Sequence, residues 1–323
     1  MTDRCNLRCQ YCMPEPDYVW LPRESLLTFE EVGALVDAFT PLGVDRIRIT
    51  GGEPLLRRDV PILIESLAAR STIVDLALTT NGVLLRNQAQ ALRAAGLHRI
   101  TVSLDTLHPD RFRRLTRMDE LPSVLAGIDA AAATGFQSLK LDTVVIRGVN
   151  DDEMIALLEY AKGMLAELRF IEYMDVGGAT HWTASAVVSR REMLDRIRSH
   201  YGAVLALNEQ SSAPADRYLL PDGTTFGIIS STTEPFCASC DRSRLTADGV
   251  WLQCLYASTG TDLRRPLRAG ATREELQRLI EAVWSVRADR GAEERLGMDR
   301  ETTLIPIRTL KRDAHLEMHT RGG

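Results

Sequence analysis

The sequence predicts an α/β protein in which helices cover a parallel β-sheet. Strand-like and helix-like segments alternate over about two-thirds of the 323 residues, and this alternation is typical of parallel strands joined by right-handed crossovers. Polar residues follow four of the predicted strands directly, as they do at the ligand-binding rim of a (β/α) barrel. An open doubly wound sheet alternates in the same way and ordinary turns are also polar, so the rim favours a barrel but leaves both alternatives open.

Five strands are predicted from apolar runs that end in turn residues. They cover residues 46–50, 73–79, 99–103, 139–146 and 168–174. Helices are predicted at residues 28–39, 59–69, 86–95, 151–162 and 189–201, with a helical pair that ends near Gly135. The first helix starts at Thr28, where Glu31 completes a capping box. The third is closed by Gly96, a residue type that is common just after a helix.

The alternation stops after residue 202, where shorter strands and hairpins are predicted. Residues 217–219 and 226–230 flank a Pro-Asp-Gly turn at 221–223, and a second hairpin is predicted around residues 247–249. A helix is predicted over residues 272–290, with Thr272 and Glu275 as its capping box. We therefore divide the chain into a core at residues 1–205 and a C-terminal region at residues 206–323.

The composition is that of a globular cytosolic protein, with 45% hydrophobic and 26% charged residues. No apolar run is long enough to cross a membrane. The formal net charge of −5 argues against nucleic acid as the main partner, although a local basic pocket can still hold a small polyanion. Only three of the 39 basic residues are lysines, so Lys140 is an unusual choice for this chain.

All six cysteines fall into two groups of three. The first trio is Cys5, Cys9 and Cys12, spaced C-x3-C-x2-C, and the second trio is Cys237, Cys240 and Cys254, spaced C-x2-C-x13-C. Disulfides are typical of small secreted chains, and structural zinc takes four ligands. Three thiolates can hold a four-iron cluster and leave one iron open, which is the interpretation that we favour for the first trio. The second trio by itself is compatible with zinc or with an iron–sulfur cluster.

Two motifs resemble those of a known superfamily. The first trio, with Tyr11 before its last cysteine, carries the signature of the radical S-adenosylmethionine enzymes. The Gly-Gly-Glu-Pro segment at residues 51–54 resembles their glycine-rich turn. The second trio is followed by Asp-Arg-Ser-Arg-Leu at residues 241–245, and the sequence ends in Gly-Gly. Over essentially its whole length the chain therefore resembles the GTP 3′,8-cyclase family of molybdenum cofactor biosynthesis.

This resemblance implies a partial (β/α)6 barrel of the TIM type, followed by a C-terminal extension that carries a second iron–sulfur cluster. In the family a strand and a GTP-binding arginine precede the first trio. Here the trio begins at Cys5, so we expect the first barrel strand to be missing or shortened. We also expect a longer native form, which the intact mass of the protein from its own host would test.

The resemblance also implies the chemistry. Two 4Fe–4S clusters and S-adenosylmethionine are the expected cofactors, and reductive cleavage of S-adenosylmethionine would give a radical that takes hydrogen from C3′ of GTP. The expected product is (8S)-3′,8-cyclo-7,8-dihydroguanosine 5′-triphosphate. The expected partners are an external electron donor, the downstream cyclic pyranopterin monophosphate synthase and a second copy of the chain. All would meet in the cytoplasm, without nucleic acid or membrane.

Roles for single residues follow from the same resemblance. All six cysteines would hold iron. Contacts to S-adenosylmethionine are expected from Tyr11, Gly52, Ser103 and Met174. Contacts to GTP are expected from Arg48, Thr79, Lys140, Arg169, Arg242 and Arg244. Participation in turnover is expected from Arg242, Arg244, Gly322 and Gly323.

Two other functions are compatible with the cysteine pattern. A peptide-maturing radical enzyme also combines such a first trio with an auxiliary cluster, although these enzymes usually carry more auxiliary cysteines. A non-catalytic protein whose trios hold structural zinc is the other alternative. The iron and zinc contents after anaerobic reconstitution separate that protein from an iron–sulfur enzyme.

Overall fold

The structure is a computed structural model that describes residues 1–177, 180–207, 212–300 and 304–322. Within these residues eight strands form the main sheet, namely β1 (Arg46–Ile49), β2 (Asp75–Thr80), β3 (Arg99–Ser103), β4 (Ser138–Val145), β5 (Glu167–Glu172), β6 (Leu205–Leu207), β7 (Asp216–Leu219) and β8 (Thr225–Ile229). A small second sheet contains β9 (Arg244–Leu245), β10 (Val250–Leu252) and β11 (Thr261–Asp262).

The same residues form helices, several of which begin where the sequence predicts. The helices are α1 (Phe29–Phe39), α2 (Val60–Ala68), α3 (Ala89–Ala94), α4 (Pro109–Thr116), α5 (Leu121–Thr134), α6 (Met154–Gly163), α7 (Arg190–Tyr201), α8 (Arg264–Arg268), α9 (Arg273–Ser285), α10 (Gly291–Glu294), α11 (Ile307–Leu310) and α12 (Met318–Arg321). Thr28, Ser189 and Thr272 each form a complete capping box. The prediction that the last long helix continues to residue 290 is wrong, because α9 ends at Ser285 and Arg287 turns back to bind the carbonyl of Cys240.

The main sheet has the strand order β1-β2-β3-β4-β5-β8-β7-β6. Strands β1 to β5 and β8 are parallel, and β7 and β6 continue the sheet as antiparallel strands. Within the described residues the edge strands β1 and β6 do not pair with each other, so the sheet is a partial barrel. The predicted α/β class and partial barrel are confirmed, and β8 enters this sheet from beyond residue 205.

The first strand of this sheet is β1, and no strand precedes it in the described part of the chain. The N-terminal residues lie instead against the turn that follows β1. Thr2 O accepts a hydrogen bond from Gly52 N at 2.7 Å, and Arg4 O accepts one from Glu53 N at 2.8 Å. These contacts bring the start of the first trio to the carboxyl end of β1.

The two faces of the sheet have opposite character because side chains alternate along each strand. The helix-facing positions form the buried apolar core and include Leu78, Ile100, Leu141, Leu168 and Phe170. The concave face carries Thr79, Thr101, Lys140 and Glu167, which are neighbours in register from β2 to β5. Burial of the helix-facing side packs the helices against the sheet. The concave face carries polar groups that are available to a ligand.

The C-terminal region packs against the barrel through α1 and α9. Leu35 and Ala38 of α1 share a buried cluster with Leu276 and Ile280 of α9 and with Trp251 of β10. The last described residues are also covered by the protein, and the buried ones include Leu316, Glu317, His319, Thr320 and Arg321. None of the described helices has the length and apolarity needed to span a lipid bilayer.

Candidate active site

The concave face of the sheet is the floor of a polar cavity that gathers four of the predicted substrate-binding residues. Arg48 is on β1, Thr79 on β2, Lys140 on β4 and Arg169 on β5. Arg99 and Asp75 form an ion pair at the amino ends of β3 and β2. The positive side chains of Arg48, Lys140 and Arg169 therefore share this face. They lie toward the carboxyl ends of the strands, and the Arg99–Asp75 pair lies toward the amino ends.

Arg48 reaches from the edge strand across its neighbours. Its Nη1 donates hydrogen bonds to Thr79 Oγ1 at 2.8 Å and to Thr101 Oγ1 at 3.1 Å. Burial lowers the pKa of the guanidinium, and the charge of Asp142 opposes that shift. Because both of these acceptors are neutral hydroxyls, they leave the positive charge of Arg48 available to an anion.

Lys140 is buried, with 8% of its surface exposed. Its Nζ lies 3.7 Å from Glu167 Oε1, and the same oxygen accepts a hydrogen bond from Arg169 Nε at 2.9 Å. Burial and then the charge of Arg169 lower the pKa of Lys140 to about 8, while Glu167 opposes the shift. Glu167 Oε2 also accepts from Arg217 Nε at 2.9 Å, so one carboxylate is shared by three cations, which favours binding of a further anion nearby.

Asp142 is a residue of this face that the sequence analysis missed. It lies between Ser103 and Arg169 in register. Its Oδ1 is buried and has no hydrogen-bond partner among the described residues. Burial raises the pKa of its carboxyl group, against the charges of Arg169 and Arg48. Its spacing of two residues from Lys140 on one strand is the signal that could have found it.

The first-trio loop, residues 5–12, lies at the carboxyl ends of β2 and β3. Arg8 N and Gln10 N donate to the carbonyls of Thr116 and Leu115, each at 2.9 Å, so the end of α4 supports the loop. Cys5 Sγ accepts from Leu7 N at 3.4 Å and from Asn81 Nδ2 at 3.5 Å. The sulfur therefore faces donors that suit a thiolate.

The thiols of the first trio share one environment. Burial raises the pKa of Cys5, Cys9 and Cys12. The charges of Asp105, Cys5 and Cys12 raise the pKa of Cys9 further, so the three thiols are close enough to influence one another. Over the described ranges, no three His, Cys, Asp or Glu side chains converge around the position of one metal ion.

Tyr11 anchors the first-trio loop through its side chain. Its hydroxyl donates to Asp105 Oδ2 at 2.7 Å, and the other oxygen of Asp105 accepts from Val144 N at 2.9 Å. Burial raises the pKa of Asp105 to about 6, against these two hydrogen bonds. The hydroxyl of Tyr11 is therefore engaged within the protein, which fixes the position of the loop.

The packing of the protein requires a glycine at position 52, independently of any ligand. A Cβ at Gly52 would lie 2.3 Å from Arg4 O, and one at Gly51 would lie 2.5 Å from Thr2 O. The close passage of the N-terminal residues therefore explains both glycines. Ser103 and Met174 are half-buried at the carboxyl ends of β3 and β5, on the same rim.

The second-trio loop, residues 237–256, places its cysteines around the β9–β10 hairpin. Cys237 and Cys240 belong to a turn before β9, and Cys254 follows β10. Cys254 Sγ accepts a hydrogen bond from Tyr256 N at 3.4 Å. The hydroxyl of Tyr256 lies 3.2 Å from Asp175 Oδ1, which connects this loop to the carboxyl end of β5. Both trios thus lie at the same rim of the sheet.

Arginines surround Cys240. Arg242 Nη2 lies 3.4 Å from its sulfur, and Arg287 donates to its carbonyl at 2.9 Å and to its sulfur at 3.8 Å. Burial raises the pKa of Cys240, but the charge and hydrogen bonds of Arg242 and Arg287 outweigh burial, so that the pKa is lowered. Arg287 was not predicted from the sequence, because it is far from Cys240 along the chain and arginine is common throughout.

Arg244 connects the second-trio loop to the C-terminal tail, residues 304–322. Burial and then the charge of Arg242 lower its pKa to about 10. Its Nη1 donates to Gly322 O at 3.2 Å. Gly322 has a φ of 71°, and a Cβ there would lie 2.5 Å from Thr50 Cγ2 at the end of β1. The tail therefore joins the rim of the barrel to β9, whereas Gly323 lies outside the described residues.

Known families match the two parts of the chain. The radical SAM superfamily matches residues 1–161, and the family described as Molybdenum Cofactor Synthesis C matches residues 166–293. GTP 3′,8-cyclase 3 of Mycobacterium bovis is 56% identical over 99% of this chain and 86% of its own length. The GTP 3′,8-cyclase of Acidothermus cellulolyticus is 47% identical over 91% of this chain and 84% of its own length.

Solved structures share the fold at much lower identity. SuiB of Streptococcus suis bound to its precursor peptide SuiA has a TM-score of 0.60 and 13% identity, over 85% of this chain and 65% of SuiB. SuiB bound to S-adenosylmethionine has a TM-score of 0.58 and 14% identity, over 93% of this chain and 69% of SuiB. At such identities the similarity shows the fold alone.

The fold and the first-trio loop define this chain as a radical S-adenosylmethionine protein, and that class implies a 4Fe–4S cluster and S-adenosylmethionine. The long and close match to curated relatives then distinguishes among the radical enzymes. The chain belongs to the GTP 3′,8-cyclase family, as the sequence analysis predicted.

Proposed function

We propose that this protein is a radical enzyme that cyclises GTP to (8S)-3′,8-cyclo-7,8-dihydroguanosine 5′-triphosphate, the first step of molybdenum cofactor biosynthesis. The observation that carries the proposal is the placement of two cysteine trios at one rim of a cation-lined cavity. Sequence identity of 56% to the GTP 3′,8-cyclase of M. bovis supports the same substrate.

The residues of the first trio fit a 4Fe–4S cluster. Cys5 Sγ accepts two N–H groups, and the loop is fixed by backbone hydrogen bonds to α4 before any metal is bound. When bound, the cluster and S-adenosylmethionine supply the one-electron chemistry that starts the reaction. Tyr11, Gly52, Ser103 and Met174 lie on the rim next to this loop, and we assign them to S-adenosylmethionine.

The residues of the second trio fit a second 4Fe–4S cluster. Cys240 has a lowered pKa beside Arg242 and Arg287, so it loses its proton readily, and a thiolate is the form that binds metal. Cys254 Sγ already accepts the Tyr256 N–H. A trio leaves one iron of a cube without a protein ligand, and we assign this open position to the guanine base.

The cations of the concave face suit the triphosphate. Arg48, Lys140 and Arg169 present their charges from three different strands and are held by hydroxyls or by one shared carboxylate. Phosphate oxygens attract such groups strongly, because charge-assisted hydrogen bonds are about twice as strong as neutral ones. Asp142 would repel phosphate, so its free oxygen is suited to a hydroxyl or N–H donor of a ligand.

The tail suits a role in closing the cavity. Gly322 lies between Thr50 and Arg244, where a larger residue would collide with the strand end. We assign Gly322 and Gly323 to the exclusion of water and to the orientation of Arg244. Exclusion of water matters for radical chemistry because it prevents side reactions of a reactive intermediate.

The partners follow from the same proposal. An external electron donor, a homodimer, a cytoplasmic location and delivery of the product to a cyclic pyranopterin monophosphate synthase are part of it. Their support is the similarity to the GTP 3′,8-cyclases.

Anaerobic reconstitution followed by incubation with GTP, S-adenosylmethionine and dithionite tests the proposal. We expect about eight irons per chain for two clusters and formation of 5′-deoxyadenosine that depends on GTP. Formation of 5′-deoxyadenosine at the same rate without GTP would overturn the substrate assignment, and zinc in place of iron would overturn the chemistry.

Two lysine variants sharpen this test. Lys140→Met should raise the KM for GTP by about tenfold or more, because it removes a buried cation from the cavity. Lys162→Met is the matched control, since Lys162 pairs with Glu159 and Asp222 on the outer side of the barrel. Equal effects of the two variants would contradict the placement of the triphosphate.

A further inference from the structure

Arg321 holds the end of the tail from inside the protein. Only 4% of its surface is exposed. Its Nε donates to His315 O at 2.6 Å, and its Nη1 donates to Leu255 O at 2.5 Å. One guanidinium thus closes the last turn of the tail on itself and fastens that turn to another part of the chain.

The second of these acceptors belongs to the second-trio loop. Leu255 is the residue directly after Cys254. Both acceptors are neutral carbonyls, and no carboxylate lies within ion-pair distance of Arg321 in the described ranges. Burial lowers the pKa of Arg321 to about 10, while the charges of Asp313 and Cys254 oppose this. Arg321 is therefore a buried cation whose guanidinium binds the residue next to a cysteine of the second trio.

The residue after Arg321 is the one that touches the cavity. Gly322 O accepts from Arg244 Nη1, and Gly322 packs so closely against the Thr50 side chain that a Cβ would not fit between them. Since adjacent Cα atoms are a fixed distance apart, the position of Arg321 determines where Gly322 can lie. Arg321 itself turns toward Leu255 and has no contact with the cations of the concave face.

We propose that Arg321 is a positioning residue that fastens the C-terminal glycines to the second-trio loop, and that this fastening tightens when the second trio holds its cluster. A cluster held by Cys254 would fix the position of the next residue, Leu255, whose carbonyl accepts from Arg321, and would bring the negative charge of its thiolate ligands near the guanidinium. The attraction to a buried cation then increases, since the low dielectric of the interior strengthens it. By linkage, the docked tail retains the cluster by the same factor.

The proposal rests on the proposed function only in requiring that the second trio binds a cluster. It extends that function by making the tail a sensor of whether that cluster is present. A chain without its second cluster would hold Gly322 loosely and would not assemble the closed cavity. Substrate would then be released instead of being attacked in an incomplete site.

Hydrogen exchange of the tail, followed by mass spectrometry, tests the proposal directly. The proteins to compare are the loaded wild type, the metal-free wild type and the loaded Cys237→Ala/Cys240→Ala variant, which keeps only the first trio. We expect the amides of residues 316–322 to exchange about tenfold more slowly in the loaded wild type, equivalent to about 1.4 kcal/mol. Equal rates in all three proteins would overturn the coupling.

Variants of Arg321 test the residue itself. Arg321→Met should speed tail exchange several-fold even in the metal-free protein and remove the difference between loaded and metal-free forms. Arg321→Lys keeps the charge but cannot donate to both carbonyls as the guanidinium does, so it should retain part of that difference. Arg312→Met is the matched control, because Arg312 is an exposed arginine of the same tail, and it should exchange like the wild type.

Kinetics separate positioning from a general loss of structure. Arg321→Met should lower kcat with GTP by about tenfold and leave the KM for S-adenosylmethionine within about twofold. An equal loss of kcat in Arg321→Lys and Arg321→Met, with hydrogen exchange of the tail as in the wild type, would overturn the proposal. If the wild type forms no 5′-deoxyadenosine in response to GTP, the proposed function fails while the exchange result still decides the role of Arg321.

Discussion

The two cysteine loops lie at the same rim but are held in different ways. In the first-trio loop, backbone N–H groups of Arg8 and Gln10 bind carbonyls of α4, the Arg8 side chain binds the carbonyl of Cys5 within the loop, and Tyr11 binds the carboxylate of Asp105. In the second-trio loop, side chains of Arg242 and Arg287 bind Cys240. The thiols of the first trio have raised pKa values, whereas the pKa of Cys240 is lowered.

Under the proposed function, this difference explains how one cavity would hold two metal groups with different tasks. A loop fixed by its own backbone keeps its shape when charge changes at the metal, which suits a site that receives electrons. A loop held by arginine side chains carries positive charge that attracts an anionic ligand. The first loop is therefore suited to the radical source and the second to the substrate.

The largest expected effect comes from breaking each trio in turn. Cys9→Ala should lower the formation of 5′-deoxyadenosine by at least about a thousandfold, because the metal that starts the chemistry is lost. Cys240→Ala should keep dithionite-driven cleavage of S-adenosylmethionine but lose its dependence on GTP. Product analysis by mass spectrometry measures both. Identical losses in the two variants would show that the loops do not divide the tasks.

The next effect concerns thiol reactivity in the metal-free protein. Iodoacetamide should label Cys240 at least tenfold faster than Cys9 near neutral pH, because thiolate is the reactive form and its fraction changes about tenfold per pH unit below the pKa. The rate at Cys9 should rise up to pH 9, since its pKa is raised above 9, while the rate at Cys240 levels off earlier. Peptide mapping measures both rates, and Arg242→Gln should slow the labelling of Cys240. A faster reaction at Cys9 would reverse the comparison.

Loss of Arg287 should affect one loop only. Arg287→Met removes the hydrogen bond to Cys240 O and a cation beside its sulfur. Iron after reconstitution should fall from about eight to about four per chain, with one cluster retained. Arg278→Met on the exposed side of α9 is the matched control and should keep the full iron content. Retention of all the iron by Arg287→Met would contradict the role of this arginine.

A smaller effect is expected from the anchor of the first loop. Tyr11→Phe leaves one oxygen of the buried Asp105 carboxylate without a donor, which should lower the free energy of unfolding by about 2 kcal/mol in the metal-free protein. The loss should shrink below pH 6, because Asp105 has a pKa of about 6 and becomes neutral there. Urea unfolding at pH 5 and pH 8 measures it. Tyr160→Phe is the control, since the buried hydroxyl of Tyr160 has no hydrogen-bond partner among the described residues.

The smallest effect is expected where the tail meets the segment that follows the first-trio loop. His319 contacts the rings of Tyr18 and Trp20 edge-on, and neither of its ring nitrogens has a hydrogen-bond partner in the described part of the chain. Burial lowers its pKa to about 4, so the ring is neutral at physiological pH. His319→Phe should therefore change the free energy of unfolding by less than about 1 kcal/mol. A larger loss in urea unfolding would indicate a polar role for this ring.

Much of the barrel was predictable because its signals are local. The capping boxes at Thr28 and Thr272 formed as predicted, and β3 has the predicted bounds. The parallel pairing of β8 with β5 was not predicted, because a hairpin pattern says nothing about a partner far along the chain. The end of α9 was misjudged, since what stops it is a contact of Arg287 with a distant loop.

The candidate site was likewise predicted only in part. Arg48, Thr79 and Lys140 were assigned from the family resemblance, and the structure places them on one face. Arg287 and Arg321 were missed because, in a chain whose basic residues are nearly all arginine, the residue type carries no information and only the fold brings them to the second trio. Asp142 could have been found from alternation along β4.

The alternation of the main sheet has a consequence for how such proteins can change over time. Helix-facing residues such as Leu78 and Phe170 are packed tightly, and cavity-facing residues such as Thr79 and Arg169 carry charge or hydrogen bonds. Substitutions in one set therefore need not disturb the other, although the two sets are interleaved one by one along the same strands. The residues that face the cavity can therefore change while the scaffold is kept, and the fold shared with SuiB at 13% identity shows how widely sequences with this scaffold can differ.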